Sequence, residues 1–335
     1  VGLLFGRNFD FYANDDFAKN KIVSFVKPYS GYPYMSVTWG GMIGVSSGMN
    51  LEGLTVTINA GKSSIPLKAK TPISLVALEI LQYASTIDEA VEIAKTKKVF
   101  VSESMMIGSA KDHRVVLIEI SPKKFGVYEV SNQPYLACTN HFQSDVYSDD
   151  KRNNTQKEES HSVYRFEKIE EHLSNENKLN PTKMVELLRD TNGLKNTKLG
   201  YGNEKALNQL LAHHAVVFQP DKRLVWVSSN PYQLGEFTAY DLNKIFNDSI
   251  SNYTLNVDSL RIEKDTFVLS GDYSNYEKYR KQTHEINKLI KENKKIEETF
   301  LTSYIQNNPD FWLVYDKVGD YYFQQKDYQQ ASFYY

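Results

Sequence analysis

The sequence has a single cysteine, Cys138, among its 335 residues. One cysteine cannot form a disulfide within the chain, and it excludes a zinc site built from several cysteines. The sequence also lacks HExxH and comparable histidine pairs, which hold zinc on one face of a helix. We therefore predict that the protein has no metal site.

Long apolar runs and a strong charge imbalance are missing as well. No segment approaches the roughly 18 consecutive apolar residues that a transmembrane helix needs, so no membrane span is predicted. Lys and Arg together number 39 against 41 for Asp and Glu, and the formal net charge is −2. This balance argues against a nucleic-acid partner that is bound by bulk electrostatics.

Strand patterns dominate the first part of the chain. Residues 1–60 are strand-rich with turn punctuation, and residues 54–58 form a β-branched run between turn residues. Further strands are predicted at residues 115–120, 126–130, 215–218 and 224–227, and residues 135–138 are apolar and strand-like. Because pairs of helices separate these strands, the order indicates a layered α+β fold rather than βαβ winding.

Two consecutive helices are predicted after residue 70. Thr71 is expected to cap the first helix, with Pro72 at its first position. Thr86 opens the second helix, where Glu89 completes a capping box. Residues 149–159 are polar and charged, and we predict an exposed loop there.

The last part of the chain differs in kind. Residues 273–299 are charged and helix-prone, which is typical of a connector. Residues with the spacing of a tetratricopeptide repeat follow at Trp312, Tyr315, Val318, Gly319, Tyr322, Ala331 and Tyr335. We predict one domain at residues 1–250, a largely helical connector at 251–300, and a partial tetratricopeptide-like repeat at 301–335 that can dock a protein partner.

The first motif that can carry chemistry is Gly-Arg-Asn-Phe-Asp, which begins at residue 6. Arg7 and Asp10 lie three positions apart in a segment that leaves a strand. A guanidinium and a carboxylate so placed can hold a terminal amine or a thiolate in a fixed charge state. A structural ion pair at the strand end explains the same two residues equally well.

Two further motifs lie in the middle of the chain. Asn140 follows the strand-like residues 135–138, and an amide at a strand end can donate to a developing oxyanion. The alternative is an asparagine that serves a turn. Arg165 lies near the start of a predicted helix, where it either neutralises substrate charge or faces solvent.

Four motifs occur in a fixed order: Gly-Arg-Asn-Phe-Asp from residue 6, Asn-Leu-Glu-Gly-Leu-Thr-Val from residue 50, Thr-Asn-His-Phe from residue 139, and Tyr-Arg-Phe from residue 164. This set resembles the acyl-CoA:6-aminopenicillanic-acid acyltransferase family, which is related to choloylglycine hydrolases and acid-ceramidase-type amidases. The resemblance covers roughly residues 1–245 and leaves out the C-terminal part of the chain.

The resemblance implies a four-layer αββα sandwich of the N-terminal-nucleophile (Ntn) hydrolase type, here with a C-terminal helical extension. It implies a self-processing precursor whose new N-terminal cysteine attacks an acyl amide or acyl thioester, a small molecule. The cysteine's own α-amine, with an ordinary pKa of about 7.7–8.0, is the general base. No cofactor is required by this chemistry.

Site residues follow from the resemblance by matching motifs. Those assigned to catalysis are Arg7, Asp10, Asn140 and Asn59, the first two to position the nucleophile and the others to bind the oxyanion. Those assigned to substrate binding are Arg165, Ala60 and His141, with Ala60 also contributing its backbone.

The family's nucleophile maps upstream of Val1, which has no nucleophilic atom. Residues 1–6 have the pattern of a strand interior, so an upstream leader, and export with it, are expected. Cys138 is internal, has no free α-amine and lies in an apolar run, and we predict a buried hydrophobic role for it. A non-catalytic binding protein that kept the fold and lost the nucleophile is the alternative function.

Two other patterns are set aside. Residues 44–48 fit the G-x-S-x-G nucleophile elbow, which requires a strand followed by a helix, whereas a turn and another strand are predicted here. His213 and His214 are adjacent, so on a strand their side chains would point to opposite faces.

Overall fold

A computed structural model of the chain describes residues 2–64, 70–175, 178–247 and 254–335. Its strands are β1 (Phe5–Phe9), β2 (Lys21–Val26), β3 (Tyr34–Trp39), β4 (Ser47–Asn50), β5 (Leu54–Ala60), β6 (Glu103–Ser109), β7 (Arg114–Ile120), β8 (Phe125–Tyr128), β9 (His214–Gln219), β10 (Leu224–Ser228) and β11 (Phe237–Asp241). Its helices are α1 (Asp15–Lys19), α2 (Ile73–Tyr83), α3 (Ile87–Lys95), α4 (Lys151–Glu159), α5 (Ser162–Asn175), α6 (Pro181–Leu188), α7 (Leu242–Phe246), α8 (Gly271–Lys291), α9 (Glu298–Gln306), α10 (Trp312–Gln324) and α11 (Tyr328–Tyr334).

The described strands form two antiparallel sheets, one of four strands in the order β1-β9-β10-β11 and one of seven strands in chain order from β2 to β8. Turn chemistry fixes the register of the larger sheet at the predicted turn between β4 and β5. The Asn50 side chain accepts from Glu52 N (3.1 Å) and Leu54 N (2.9 Å). Gly53 has a φ of +79°, in the left-handed region that favours glycine.

The sheets pack face to face and each is covered by helices on its outer face. Phe5, Met35, Met49, Phe218 and Val225 belong to the cluster between the sheets. Helices α2 and α3 cover the seven-stranded sheet, and α6 covers the four-stranded sheet. Helix, sheet, sheet and helix therefore follow one another, and the α+β prediction is confirmed.

The capping prediction for the second helix is confirmed and that for the first is wrong. In α3, Glu89 N donates to Thr86 Oγ1 (3.3 Å) and Thr86 N donates to the Glu89 carboxylate (3.2 Å). Helix α2 instead begins at Ile73, with Pro72 at the N-cap and no side-chain cap. Thr71 lies one residue too early, in a β-bridge with Val99.

Two segments differ from the sequence predictions. Residues 149–159 hold helix α4 rather than an exposed loop, because Asp150 caps it by accepting from Arg152 N and Asn153 N (3.2 Å each). Asn153 is buried, so one polar residue anchors a helix that has no apolar stripe. Residues 135–138 are irregular and not a strand.

Helices α8 to α11 pack on one another and on the domain that precedes them. Their shared cluster includes Leu210, Tyr232 and Leu234 of the domain. Helix α8 contributes buried Tyr276, Tyr279 and Ile286, so the segment expected to be a connector has a packed face. The tetratricopeptide-like character and the domain boundaries stay predictions. No helix of the described ranges has the length and apolarity to cross a membrane.

Candidate active site

A cavity of about 990 Å³ lies beside strand β1, the end of β5, residues 133–140 and helices α5 and α6. Six of the seven site residues expected from the sequence line it: Arg7, Asp10, Asn59, Ala60, Asn140 and Arg165. The fold thus brings together residues that lie up to 158 positions apart, as the numbers of Arg7 and Arg165 show.

Strand alternation determines what each residue of β1 contacts. Phe5 joins the cluster between the sheets, and Arg7 is directed to the same side. Gly6 and Asn8 face helix α6 instead. A Cβ on Gly6 would collide with Met184, and Asn8 Nδ2 donates to the Leu188 carbonyl (2.9 Å). Glycine at this point of the motif lets α6 pack directly on β1.

Arg7 reaches from one sheet to the other. It is only 6% exposed, and its guanidinium donates to Ser46 O (3.0 Å), to Ser47 Oγ and to Ile58 O. Burial lowers the pKa of Arg7 to about 10, so it stays charged at neutral pH. Its Nε, buried and with no hydrogen-bond partner in the described structure, is a donor still to be satisfied.

Asp10 faces the cavity without a fixed partner. No hydrogen bond or ion pair joins it to Arg7 or to another residue that the structure describes, which disfavours a structural pair at the strand end. Asp10 keeps exposed surface, yet partial desolvation by the surrounding cavity wall raises the pKa of Asp10 to about 6, and the charges of Arg165 and Arg7 limit the rise. The carboxylate therefore titrates close to the physiological range.

Asn140 is held by three hydrogen bonds in one orientation. Its backbone N donates to Ser162 Oγ (2.8 Å), and its Nδ2 donates to Ala60 O (3.2 Å). Arg165 Nη2 donates to Asn140 Oδ1 (2.7 Å), which identifies the oxygen of the amide. An amide nitrogen carries two hydrogens, so one N–H is left to offer an oxyanion.

The end of β5 provides a second donor. Pairing of β5 with β4 ends at Thr57, apart from one bond from Ile58 N to Ser46 O (3.1 Å). Asn59 and Ala60 therefore extend past the end of β4. The N–H and C=O of one residue in a strand point to the same side. Because Asn140 donates to the Ala60 carbonyl, the Ala60 N–H points to the side where Asn140 lies.

The loop that carries Asn140 is held by side chains instead of a strand. Glu119, fully buried, accepts from Gln143 N (2.6 Å) and Ser144 N (2.8 Å). Asn153 accepts from Phe142 N (2.8 Å) and donates to Phe142 O (3.1 Å). These bonds satisfy backbone groups that no strand pairs, so the loop has a single conformation without regular structure.

The structure corrects the expected place of His141. Its ring is buried behind the cavity wall, where Nδ1 lies 2.8 Å from Ser162 Oγ and 3.2 Å from Thr139 Oγ1. Burial lowers the pKa of His141 to about 4, so the ring is neutral and supports the loop. His161, three residues before the Tyr-Arg-Phe motif, lines the cavity instead.

Cys138 lines the cavity, which a purely buried hydrophobic role does not predict. Its Sγ accepts a hydrogen bond from Asn59 Nδ2 (3.2 Å). Removal from water raises the pKa of the Cys138 thiol to about 12, and the Asn59 bond only partly opposes this. A thiol with this pKa is a poor nucleophile, since the thiolate is the reactive form.

A buried histidine pair supports Arg7 through Ser47, and the sequence analysis missed it. Ser47 Oγ lies 2.8 Å from His214 Nε2, and the Nδ1 atoms of His213 and His214 lie 2.8 Å apart. The expectation of opposite faces is wrong because His213 precedes β9. Burial lowers the pKa of both rings, so both are neutral. Ser46 and Ser47, set aside as a nucleophile elbow, serve as acceptors for Arg7.

No group of three or more His, Cys, Asp or Glu side chains that could hold a metal ion is found in the part of the chain that the structure describes.

Sequence comparison identifies one family. Residues 2–231 match the model of the acyl-coenzyme A:6-aminopenicillanic acid acyl-transferase family. Comparison with curated protein sequences gives no significant match.

Several solved structures are similar in fold. The N-acylethanolamine-hydrolyzing acid amidase ortholog of Caenorhabditis elegans is 20% identical, with 66% of this chain and 88% of that chain covered and a TM-score of 0.47. A variant of the conjugated bile acid hydrolase of Clostridium perfringens is 13% identical, with 72% and 89% covered and a score of 0.44. Penicillin V acylase of Agrobacterium tumefaciens is 14% identical, with 72% and 83% covered and a score of 0.43.

Proposed function

The chain belongs to the acyl-coenzyme A:6-aminopenicillanic acid acyl-transferase family, and from this premise we propose that it is an Ntn-type amidohydrolase or acyltransferase acting on a linear acyl amide. One observation carries the proposal. The same cavity contains a buried cation, Arg7, a titratable carboxylate, Asp10, and an amide donor, Asn140, fixed by Arg165. These are the groups that a thiol nucleophile and a developing oxyanion require.

The nucleophile of this proposal is a cysteine that precedes Val1. Among the strands that the structure describes, β1 pairs with β9 alone and forms an edge of its sheet, and its residues line the cavity. A chain end that enters beside β1 therefore lies close to Arg7 and Asp10. The guanidinium favours a thiolate, and the carboxylate can hold the α-amine.

The reaction runs in two steps. The sulfur bonds to the amide carbon, the thiol proton passes to the α-amine, and the carbonyl electron pair moves to oxygen. Asn140 Nδ2–H and Ala60 N–H donate to this oxyanion. When the C–N bond breaks, the amine leaves with the proton from the α-amine. Water or a second amine then attacks the thioester, releases the acyl product and restores the thiol.

The walls of the cavity indicate where the acyl chain lies. One group of apolar side chains that packs together also lines the cavity: Leu4, Ile169, Leu173, Leu179, Met184 and Leu187. The polar residues Asn140, Arg165 and Glu204 line the cavity as well, joined to one another by hydrogen bonds from Arg165. We infer that the apolar side chains stabilise the acyl group by burial, and that the amine side of the substrate lies beside the polar residues.

Replacing Asn140 by alanine tests the proposal. In protein that carries the upstream segment, Asn140→Ala should lower kcat for a fluorogenic acyl amide by about 10²–10³-fold, as loss of one oxyanion donor does elsewhere. The exposed Asn132→Ala is the matched control and should retain full activity. Undiminished turnover in Asn140→Ala would remove this residue from the mechanism. Ligand binding without turnover in the wild type would favour the non-catalytic alternative.

A further inference from the structure

A second cavity, of about 440 Å³, lies where the C-terminal helices meet the domain. Tyr12 and Leu210 line it from the domain, and Tyr279 of α8 and Trp312 of α10 line it from the helices. Neither part of the molecule forms this cavity alone. Its existence depends on the packing of α8 and α10 on the domain.

The second cavity adjoins the first. His161, Glu204 and Gln209 line both. Arg165 connects this boundary to the proposed oxyanion site, because its Nη1 donates to Glu204 O (2.5 Å) while its Nη2 donates to Asn140 Oδ1 (2.7 Å). A substituent that passes from Asn140 along Arg165 to Glu204 therefore reaches the second cavity.

Aromatic rings form much of its wall. Trp312 is 57% exposed and Tyr12 is 43% exposed, one from each side of the junction. Phe311 is buried and holds the start of α10, with its ring 6.1 Å from that of Trp312 in an edge-to-face arrangement. Exposed rings with a fixed support lose little entropy on binding and bury a large apolar area against a ligand ring.

We propose that the second cavity is a subsite for the amine portion of the substrate, and that it selects amines that carry an aromatic ring. The inference rests on the proposed function, since it takes the amide to lie beside Asn140. The C-terminal helices then determine leaving-group specificity, because they supply Trp312.

The test compares two ketone analogues in which a methylene replaces the amide nitrogen. Both carry one acyl chain, and the far side ends in a phenyl ring or in a methyl group. By calorimetry on the full chain, the phenyl analogue should bind roughly tenfold more tightly, which corresponds to one well-packed aromatic contact. Trp312→Ala should abolish the difference, and Trp312→Phe should keep most of it. Phe323→Ala, on the same helix and 58% exposed but outside the cavity lining, is the matched control and should keep it in full.

The outcomes separate the two proposals. Equal affinity of the analogues in the wild type, or an unchanged preference in Trp312→Ala, overturns the subsite while both ligands still occupy the first cavity. Binding of neither analogue overturns the proposed function, and the subsite with it.

Discussion

The domain and the C-terminal helices bury different kinds of residue. The domain buries charged side chains, namely Arg7 (6% exposed), Glu119 (0%) and Lys168 (1%). Among the described residues of α8 to α11, the buried side chains are aromatic and aliphatic, such as Tyr276, Tyr304 and Val318. Burying a charge costs several kcal/mol unless it is well paired, so the domain accepts a cost that the helices avoid. The comparison indicates that the domain is organised around a polar site and the helices around packing.

The largest effects should come from a buried aromatic residue in each region. Phe142→Ala in the domain and Tyr304→Ala in α9 remove side chains that are 0% exposed. Each should lower the free energy of unfolding by about 3–5 kcal/mol in a denaturant titration. Turnover should fall in folded Phe142→Ala, since Phe142 lies in the loop of Asn140, and should persist in folded Tyr304→Ala. Equal losses of activity would show that the two regions are not separable in this way.

Replacing Arg7 tests how much this buried charge contributes to stability and to activity. Arg7→Met leaves Ile58 O without its donor, while Ser46 O keeps its bond from Ile58 N. An unsatisfied buried carbonyl, offset in part by relief of a buried charge, should lower the free energy of unfolding by about 2 kcal/mol and abolish turnover. Arg261→Met is the surface control and should match the wild type. An Arg7→Met protein with full stability and full activity would contradict the role given to this residue.

A smaller change tests the support behind Arg7. Ser47→Ala removes the hydroxyl between Arg7 and His214. Loss of one buried hydrogen-bond partner should lower the free energy of unfolding by about 1–2 kcal/mol, and misplacement of Arg7 should lower kcat more than it raises KM. Ser148→Ala, at an exposed serine that precedes α4, serves as control. If kcat is unaffected, the Ser47–His214 contact is structural only.

The smallest effect is a pH dependence that belongs to the domain alone. The folded-state pKa of Asp10 is raised to about 6, above the roughly 3.9 of an unfolded chain. The folded state therefore binds this proton more tightly, and the associated stability is present below about pH 4 and lost as the pH rises to about 6. Relative to the wild type, Asp10→Asn should gain stability across that window. For the surface variant Asp16→Asn, the free energy of unfolding should depend on pH as it does in the wild type. The same pH dependence in Asp10→Asn would contradict the raised pKa of Asp10.

Ordered motifs made the main part of the site predictable. Arg7, Asn140 and Arg165 lie far apart in sequence, yet each belongs to a motif whose order indicated a shared cleft, and all three line one cavity. Local signals also held where the chemistry is local, as in the capping box at Thr86 and the turn after Asn50.

The supports of the site could not be predicted because they are long-range contacts between polar groups. Ser47 and His214 are 167 positions apart, and no periodicity reveals such a pair. Helix α4 has no apolar stripe, and one buried residue, Asn153, fixes it. The apolar pattern of residues 135–138 resembled a strand because Leu136 and Cys138 pack against the cluster between the sheets. The segment is nevertheless irregular, and side chains such as Glu119 hold the loop that follows it.

An N-terminal cysteine nucleophile can be detected by intact-mass and peptide mass spectrometry of the protein with its upstream segment, after incubation with an acyl substrate. We expect a mass increase of one acyl group on that cysteine, unchanged in Cys138→Ala and reduced in Asp10→Asn. An adduct that maps to Cys138, or turnover with no cysteine adduct in any variant, would contradict this expectation.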